Sequence, residues 1–238
     1  MQRLRHEHIV QYLGCARSQH GEQYILMEHV VGGTVKSMLA RSYPQGLPLA
    51  AVQRYGRQLL SGLHFLHEAM VIHSDLKGDN LLVDLSRVAP GTEADQWGRI
   101  KIADFGSSRE LGGSGTHSMN KESLRGSPYW LAPEAIRGVG AGRKADVWAL
   151  GGVLLEMLTG RPPWFEEHAA PKGQFAVFQI LNRIVTATGP PPLPPADTMP
   201  PALRDLLLAC FERNVATRPS TTQLLAHPWV GVTDAESS

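Results

Sequence analysis

Three short stretches, in a fixed order, constrain this chain more than anything else in it. The first is His73-Ser74-Asp75-Leu76-Lys77-Gly78-Asp79-Asn80, the second Asp104-Phe105-Gly106 and the third Ala132-Pro133-Glu134. Any one triplet is weak, because a run such as Asp-Phe-Gly arises by chance; a fold must account for all three together. The surrounding pattern is suited to holding them. Leu49 to Met70 reads as a long helix whose apolar face is Leu59, Leu60, Leu63, Phe65 and Leu66, and it leads into the first stretch. Leu81 to Asp84 and Arg99 to Asp104 read as short strands, separated by an exposed loop from Leu85 to Gly98 that contains Pro90-Gly91.

Composition narrows the class without naming a function. The chain has 238 residues, enough for one large domain or two small lobes, with 42% hydrophobic and 19% charged residues. A net charge of +1 gives no argument for nucleic acid or membrane as a partner, and neither is expected. Cys15 and Cys210 form no metal or disulfide pattern and read as thiols of a reducing compartment. No apolar run reaches membrane-spanning length, and Met1-Gln2-Arg3-Leu4-Arg5 is unlike a secretory signal, so a cytoplasmic protein is expected.

The three stretches together resemble the protein-kinase catalytic loop, the magnesium-binding Asp-Phe-Gly and the Ala-Pro-Glu that ends the activation segment. The resemblance implies an α+β, protein-kinase-like fold: a remnant of the β-containing N-terminal lobe over 1–31, a mostly helical C-terminal lobe over 32–230, and a tail over 231–238. It also implies ATP and Mg2+ as cofactors and a protein as substrate. Phosphoryl transfer needs an aligned hydroxyl and neutralised phosphate charge more than covalent help. By this resemblance Asp75 accepts the hydroxyl proton and Lys77 sits against the transferred phosphate. Asn80 and Asp104 supply oxygen ligands to magnesium, a hard cation. A lysine two residues after the aspartate is the Ser/Thr-kinase form.

Other stretches acquire roles through the same resemblance. Met1 to Glu7 reads as the end of a basic helix, and His8 to Gly14 and Gln23 to Glu28 as the last two strands of the small lobe; an ordinary hydrophobic hairpin is the alternative. Met27 would be the gatekeeper beside adenine, the backbones of Glu28 and Val30 would bond adenine, Thr34 would lie near the ribose and Leu82 beneath the ring. His73 and Phe105 belong to the framework of the motifs. Gly126-Ser127-Pro128-Tyr129-Trp130-Leu131-Ala132-Pro133-Glu134 closely resembles the form typical of mitogen-activated protein kinase kinase kinases, which implies another kinase as substrate. Ser127 would contact Asp75 and Lys77. Asp146, in a long apolar helix, would anchor the catalytic-loop backbone, and Arg218 would pair with Glu134. His64 and His67 read as packing or surface histidines. Gly189 to Pro195 reads as a stiff connector, with a polyproline ligand as the alternative.

Two departures from the family stand out. No G-x-G-x-x-G precedes the strands, no V-A-I-K lysine is present, and the helix glutamate that pairs with that lysine has no counterpart. A truncated or mis-started reading frame is the simpler account, loss of the lobe the other, and the two remaining strands would make an edge-exposed, marginally stable ribbon. A catalytically impaired, pseudokinase-like scaffold is the rival function. Second, Ser74 stands where most Ser/Thr kinases carry arginine, and Arg125 where close relatives carry a phosphorylatable threonine. The usual phosphothreonine–arginine latch is therefore not expected, with Ser118 and Ser123 as remaining candidate phosphosites.

Overall fold

A computed structural model describes residues 4–86, 88, 97–110, 128–140, 142–165 and 176–231. The strands, in chain order, are β1 (Tyr12–Arg17), β2 (Gln23–Met27), β3 (Val71–Ile72), β4 (Leu81–Asp84), β5 (Arg99–Ile102) and β6 (Arg109–Glu110). Among the described residues they pair as three separate antiparallel ribbons, β1 with β2, β3 with β6, and β4 with β5. The helices are α1 (Val35–Ser42), α2 (Leu49–Glu68), α3 (Pro133–Ile136), α4 (Arg143–Thr159), α5 (Ala176–Thr186), α6 (Pro201–Cys210), α7 (Thr221–Leu225) and α8 (Pro228–Gly231).

Helix α4 forms the axis of this arrangement. Every residue from Asp146 to Met157 is buried, so the helix is enclosed on all sides rather than on one stripe. It ends where Gly160 takes φ 72° and returns its N–H to Glu156 O, a left-handed cap that costs glycine least. Helix α2 lies beside it. Val52, Tyr55, Leu59, Leu60, Leu63 and Leu66 recur at three- and four-residue intervals and are at most 2% exposed. The same core takes in Leu81, Val83, Ile100 and Ile102 from β4 and β5 and Leu203, Leu206 and Leu207 from α6. Helix α2 stops at Glu68, two residues short of the sequence reading, because Met70 turns left-handed at φ 62°.

The N-terminal end corrects the sequence reading. Residues Leu4 to His6 form no helix, and β1 begins at Tyr12 rather than His8. The alternating His8-Ile9-Val10 run is used differently. Ile102 N donates to His8 O at 2.9 Å and Val10 N to Ile102 O at 2.8 Å, so this segment lies along β5. Ile9 is 2% exposed in the core, which explains the apolar pattern without an isolated hairpin. The β1–β2 hairpin itself projects from that core, with Leu13, Ile25 and Met27 all more than half exposed. Between α5 and α6 the proline-rich stretch packs as a connector. Pro191 is buried, Arg213 Nη1 donates to Gly189 O at 3.2 Å and Arg204 Nη1 to Pro194 O at 3.2 Å.

Below α4, α3 is fastened to the α6–α7 connection by one buried ion pair. Arg218 is fully buried and forks onto Glu134, with Nη1–Oε1 at 2.5 Å and Nη2–Oε2 at 3.1 Å. Two further donors reach Glu212 O and Lys144 O, each at 2.7 Å, and Trp148 lies 5.1 Å from the guanidinium. Each of the three guanidinium nitrogens is therefore hydrogen-bonded, the condition under which such a pair is tolerated. Replacing Arg218 by Met strands the Glu134 carboxylate and should lower the unfolding free energy by about 3–5 kcal/mol in urea titrations. The Glu134→Leu/Arg218→Met double variant should lose less than the sum of the two single variants, and strict additivity would show that the pair is not coupled.

Candidate active site

The first motif stretch leaves β3 and is caught at once by α4. His73 N and Ser74 N donate to the two oxygens of Asp146, Oδ2 and Oδ1, at 2.9 Å each. Asp146 is 1% exposed, so its carboxylate must be satisfied inside the protein. The third donor is His67 Nε2, 2.9 Å from Oδ2; a carboxylate only accepts, so the proton sits on that nitrogen. His64, by contrast, faces Thr221 Oγ1 at 3.3 Å on the α7 side of α2.

The His73 ring then joins the two halves of the site. Its Nδ1 accepts from Asp75 N at 3.3 Å, and its Nε2 donates to Ala103 O at 3.0 Å. Both nitrogens are thus used in the neutral form, with the proton on Nε2. Phe105 stands edge-on to the same ring at 5.5 Å. Asp75 Oδ2 accepts from Lys77 Nζ at 2.7 Å and from Asn80 Nδ2 at 3.0 Å. Asn80 Nδ2 spends its second hydrogen on Asp75 O at 2.8 Å, so its amide oxygen is left to act as an acceptor. Ala103 N donates to Asn80 O at 2.9 Å, which brings the backbone of Asp104 within one residue of Asn80. Asp104 itself is left-handed at φ 60°, and its Oδ1 accepts from Gly106 N at 3.1 Å, a turn that aspartate tolerates better than most residues.

The residues assigned to a nucleotide base gather around β4 and β5. Thr34 caps α1, accepting from Ser37 N at 3.0 Å, and bridges to Leu82. Leu82 pairs with Lys101 across the ribbon, and Lys101 Nζ reaches Glu28 Oε1 at 2.7 Å. Glu28 N donates to Gln11 O at 3.0 Å, and Val30 is half-buried. Met27 is 52% exposed at the end of β2. Ser123 and Ser127 lie outside the described residues, as do Ser118 and Arg125.

A family model for the protein kinase domain matches residues 1–230. The chain belongs to the protein kinase domain family. It is 38% identical over 230 residues to mitogen-activated protein kinase kinase kinase ANP1 of Arabidopsis thaliana, covering 97% of this chain and 31% of that protein. It is 37% identical to mitogen-activated protein kinase kinase kinase 2 of Arabidopsis thaliana, covering 100% and 33%, and 38% identical to mitogen-activated protein kinase kinase kinase 3 of Homo sapiens, covering 95% and 33%. The chain thus spans about a third of the length of these curated relatives.

Two residues of this kinase domain escape motif reading. His67 offers no sequence signal, since a lone helix histidine is ordinary. Glu156 offers one: it is the only acidic residue between Val147 and Thr159, and a buried carboxylate needs a partner. Its Oε2 accepts from Gly78 N at 3.2 Å, and it is 4% exposed. Burial pushes its carboxyl up from an ordinary 4.5 to about 7, Asp79 adding to the effect and Gly78 N–H, Lys36 and the Trp130 indole opposing it. Because the folded value is raised, the group's contribution to stability is full below pH 4.5 and is lost as pH rises through about 7. Glu156→Gln removes this titration. Relative to the parent chain it should gain stability between pH 5 and pH 8, by up to about 3 kcal/mol, in denaturant melts across that range; parallel pH profiles would refute the assignment.

Proposed function

We propose that this chain transfers the γ-phosphate of ATP to serine or threonine of a protein substrate, as the kinase fold implies. The observation that carries the reading is the shared hydrogen bonding of Asp75, Lys77 and Asn80, set one backbone bond from Asp104. Asp75 Oδ2 is occupied by Lys77 and Asn80, so Oδ1 is the oxygen that receives the substrate hydroxyl's proton. Lys77, within reach of that oxygen pair, follows the charge as it moves to the phosphate. The donor set suits magnesium: the amide oxygen of Asn80 and the second carboxylate oxygen of Asp104 would hold it. Magnesium, when bound, neutralises phosphate charge. Adenine is held against Leu82 by the Glu28 carbonyl and the Val30 backbone, with Met27 at the rear and Thr34 towards the ribose.

The likeness to mitogen-activated protein kinase kinase kinases supports another kinase, one step down such a cascade, as the substrate. A cytoplasmic setting accords with that role, and no described helix is long and apolar enough to cross a membrane. Regulation departs from the phospho-latch. Ser74 takes φ 69°, and its Oγ is buried with no hydrogen-bond partner among the described residues. A buried hydroxyl cannot do what a bidentate guanidinium does for a phosphate. Ser123→Ala should therefore leave transfer within about threefold of the parent chain in an assay of phosphate incorporation; abolished activity would restore a latch.

Calorimetric titration with ATP, with and without magnesium, tests the site directly. Asp104→Asn should weaken magnesium-dependent binding about tenfold or more. Asp75→Asn should leave binding within about threefold and cut phosphotransfer by about a hundredfold or more. A folded parent chain that binds no ATP would sink the assignment.

A further inference from the structure

Helix α4 touches the Asp75 stretch at two places, and the sequence reading uses only one. Asp146 holds its beginning. Glu156, ten residues on and so about 15 Å along the helix, holds its end through Gly78 N. The fit at Gly78 is specific. A Cβ there would lie 2.8 Å from both Glu156 carboxylate oxygens, closer than a side-chain carbon approaches them. Glycine at this position and glutamate on α4 are thus two halves of one contact. Gly78 also stands between Lys77 and Asn80, the two residues that grip Asp75 Oδ2. The carboxylate is faced by groups from three other elements. Lys36 of α1 lies towards it, Asp79 is next to the bonded glycine, and Trp130 turns a buried indole nitrogen towards it. Lys36 is itself bonded to Asp79 at 2.8 Å, and Trp130 ends the short turn Pro128–Trp130 that leads into Ala132-Pro133-Glu134.

We propose that Glu156 is a positioning residue: by fixing Gly78 it sets the distance between Lys77 and Asn80, and so the aim of Asp75. This rests on the phosphotransfer reading of the site. It does not touch the reacting atoms; it acts through the backbone of the stretch. An oxygen acceptor at residue 156 is what the role requires, so glutamine serves and leucine does not.

The test uses the 15N-labelled full chain and its Glu156→Gln and Glu156→Leu variants, with two readouts. Amide hydrogen exchange at Gly78 should stay within about threefold of the parent in Glu156→Gln and accelerate about tenfold or more in Glu156→Leu. Phosphotransfer kcat should fall about tenfold or more in Glu156→Leu with KM for ATP within about twofold, and recover in Glu156→Gln. Gly78→Ala asks the same question from the loop side if Glu156→Leu does not fold, and should match its kcat loss. Unchanged Gly78 exchange in Glu156→Leu overturns the proposal, as does faster exchange with unaltered kcat. A parent chain that transfers no phosphate overturns the underlying reading instead, while the Gly78 amide still reports whether Glu156 anchors the loop.

Discussion

The carboxylate of Asp146 is the point from which the site is built. It is a charge inside the core, and its cost is offset only if donors surround it. The donors are two successive backbone amides of the catalytic stretch and one imidazole from α2. Satisfying the charge and placing the stretch are therefore one event. Because α4 is enclosed on every side, the carboxylate's position is set by apolar packing. Core volume thus decides where His73 sits, and His73 decides the rest.

From His73 the placement passes outward in short steps. One ring nitrogen receives the amide of Asp75 and the other reaches Ala103, the last residue before Asp104. The two aspartates needed for proton acceptance and metal binding come from stretches far apart in sequence. A single neutral imidazole relates them. The Ala103 N to Asn80 O bond supplies a second, independent fix on the same pair of segments. No long side chain has to bridge a gap, which suits a reaction that depends on alignment.

Much of this was legible beforehand, and the failures have physical causes. The motif residues could be named because phosphoryl transfer restricts the residue types that can serve, and α2 because its apolar spacing is regular. The β4–β5 ribbon was readable as two short strands, Leu81 to Asp84 and Arg99 to Asp104, the second of which ends at Ile102. His8 to Val10 reads as the start of the strand running to Gly14 but lies along β5 instead, since alternation reports a half-buried extended segment but not which strand it lies along. His67 and Glu156 were missed for a different reason. Their partners are a side chain 79 residues away and a backbone N–H 78 residues away, and no local pattern records such a contact. The bare Cα of Gly78 was the trace of Glu156 in the sequence, visible only once the two are seen face to face.

The projecting β1–β2 hairpin has a mechanical meaning. At its base Glu28 is bolted twice, to Gln11 N at 2.8 Å and to Lys101 Nζ at 2.7 Å, and Lys101 belongs to the ribbon that carries Leu82. One side chain thus serves as the joint between the end of the hairpin and the ribbon that carries Leu82, so the placing of either segment is tied to that of the other.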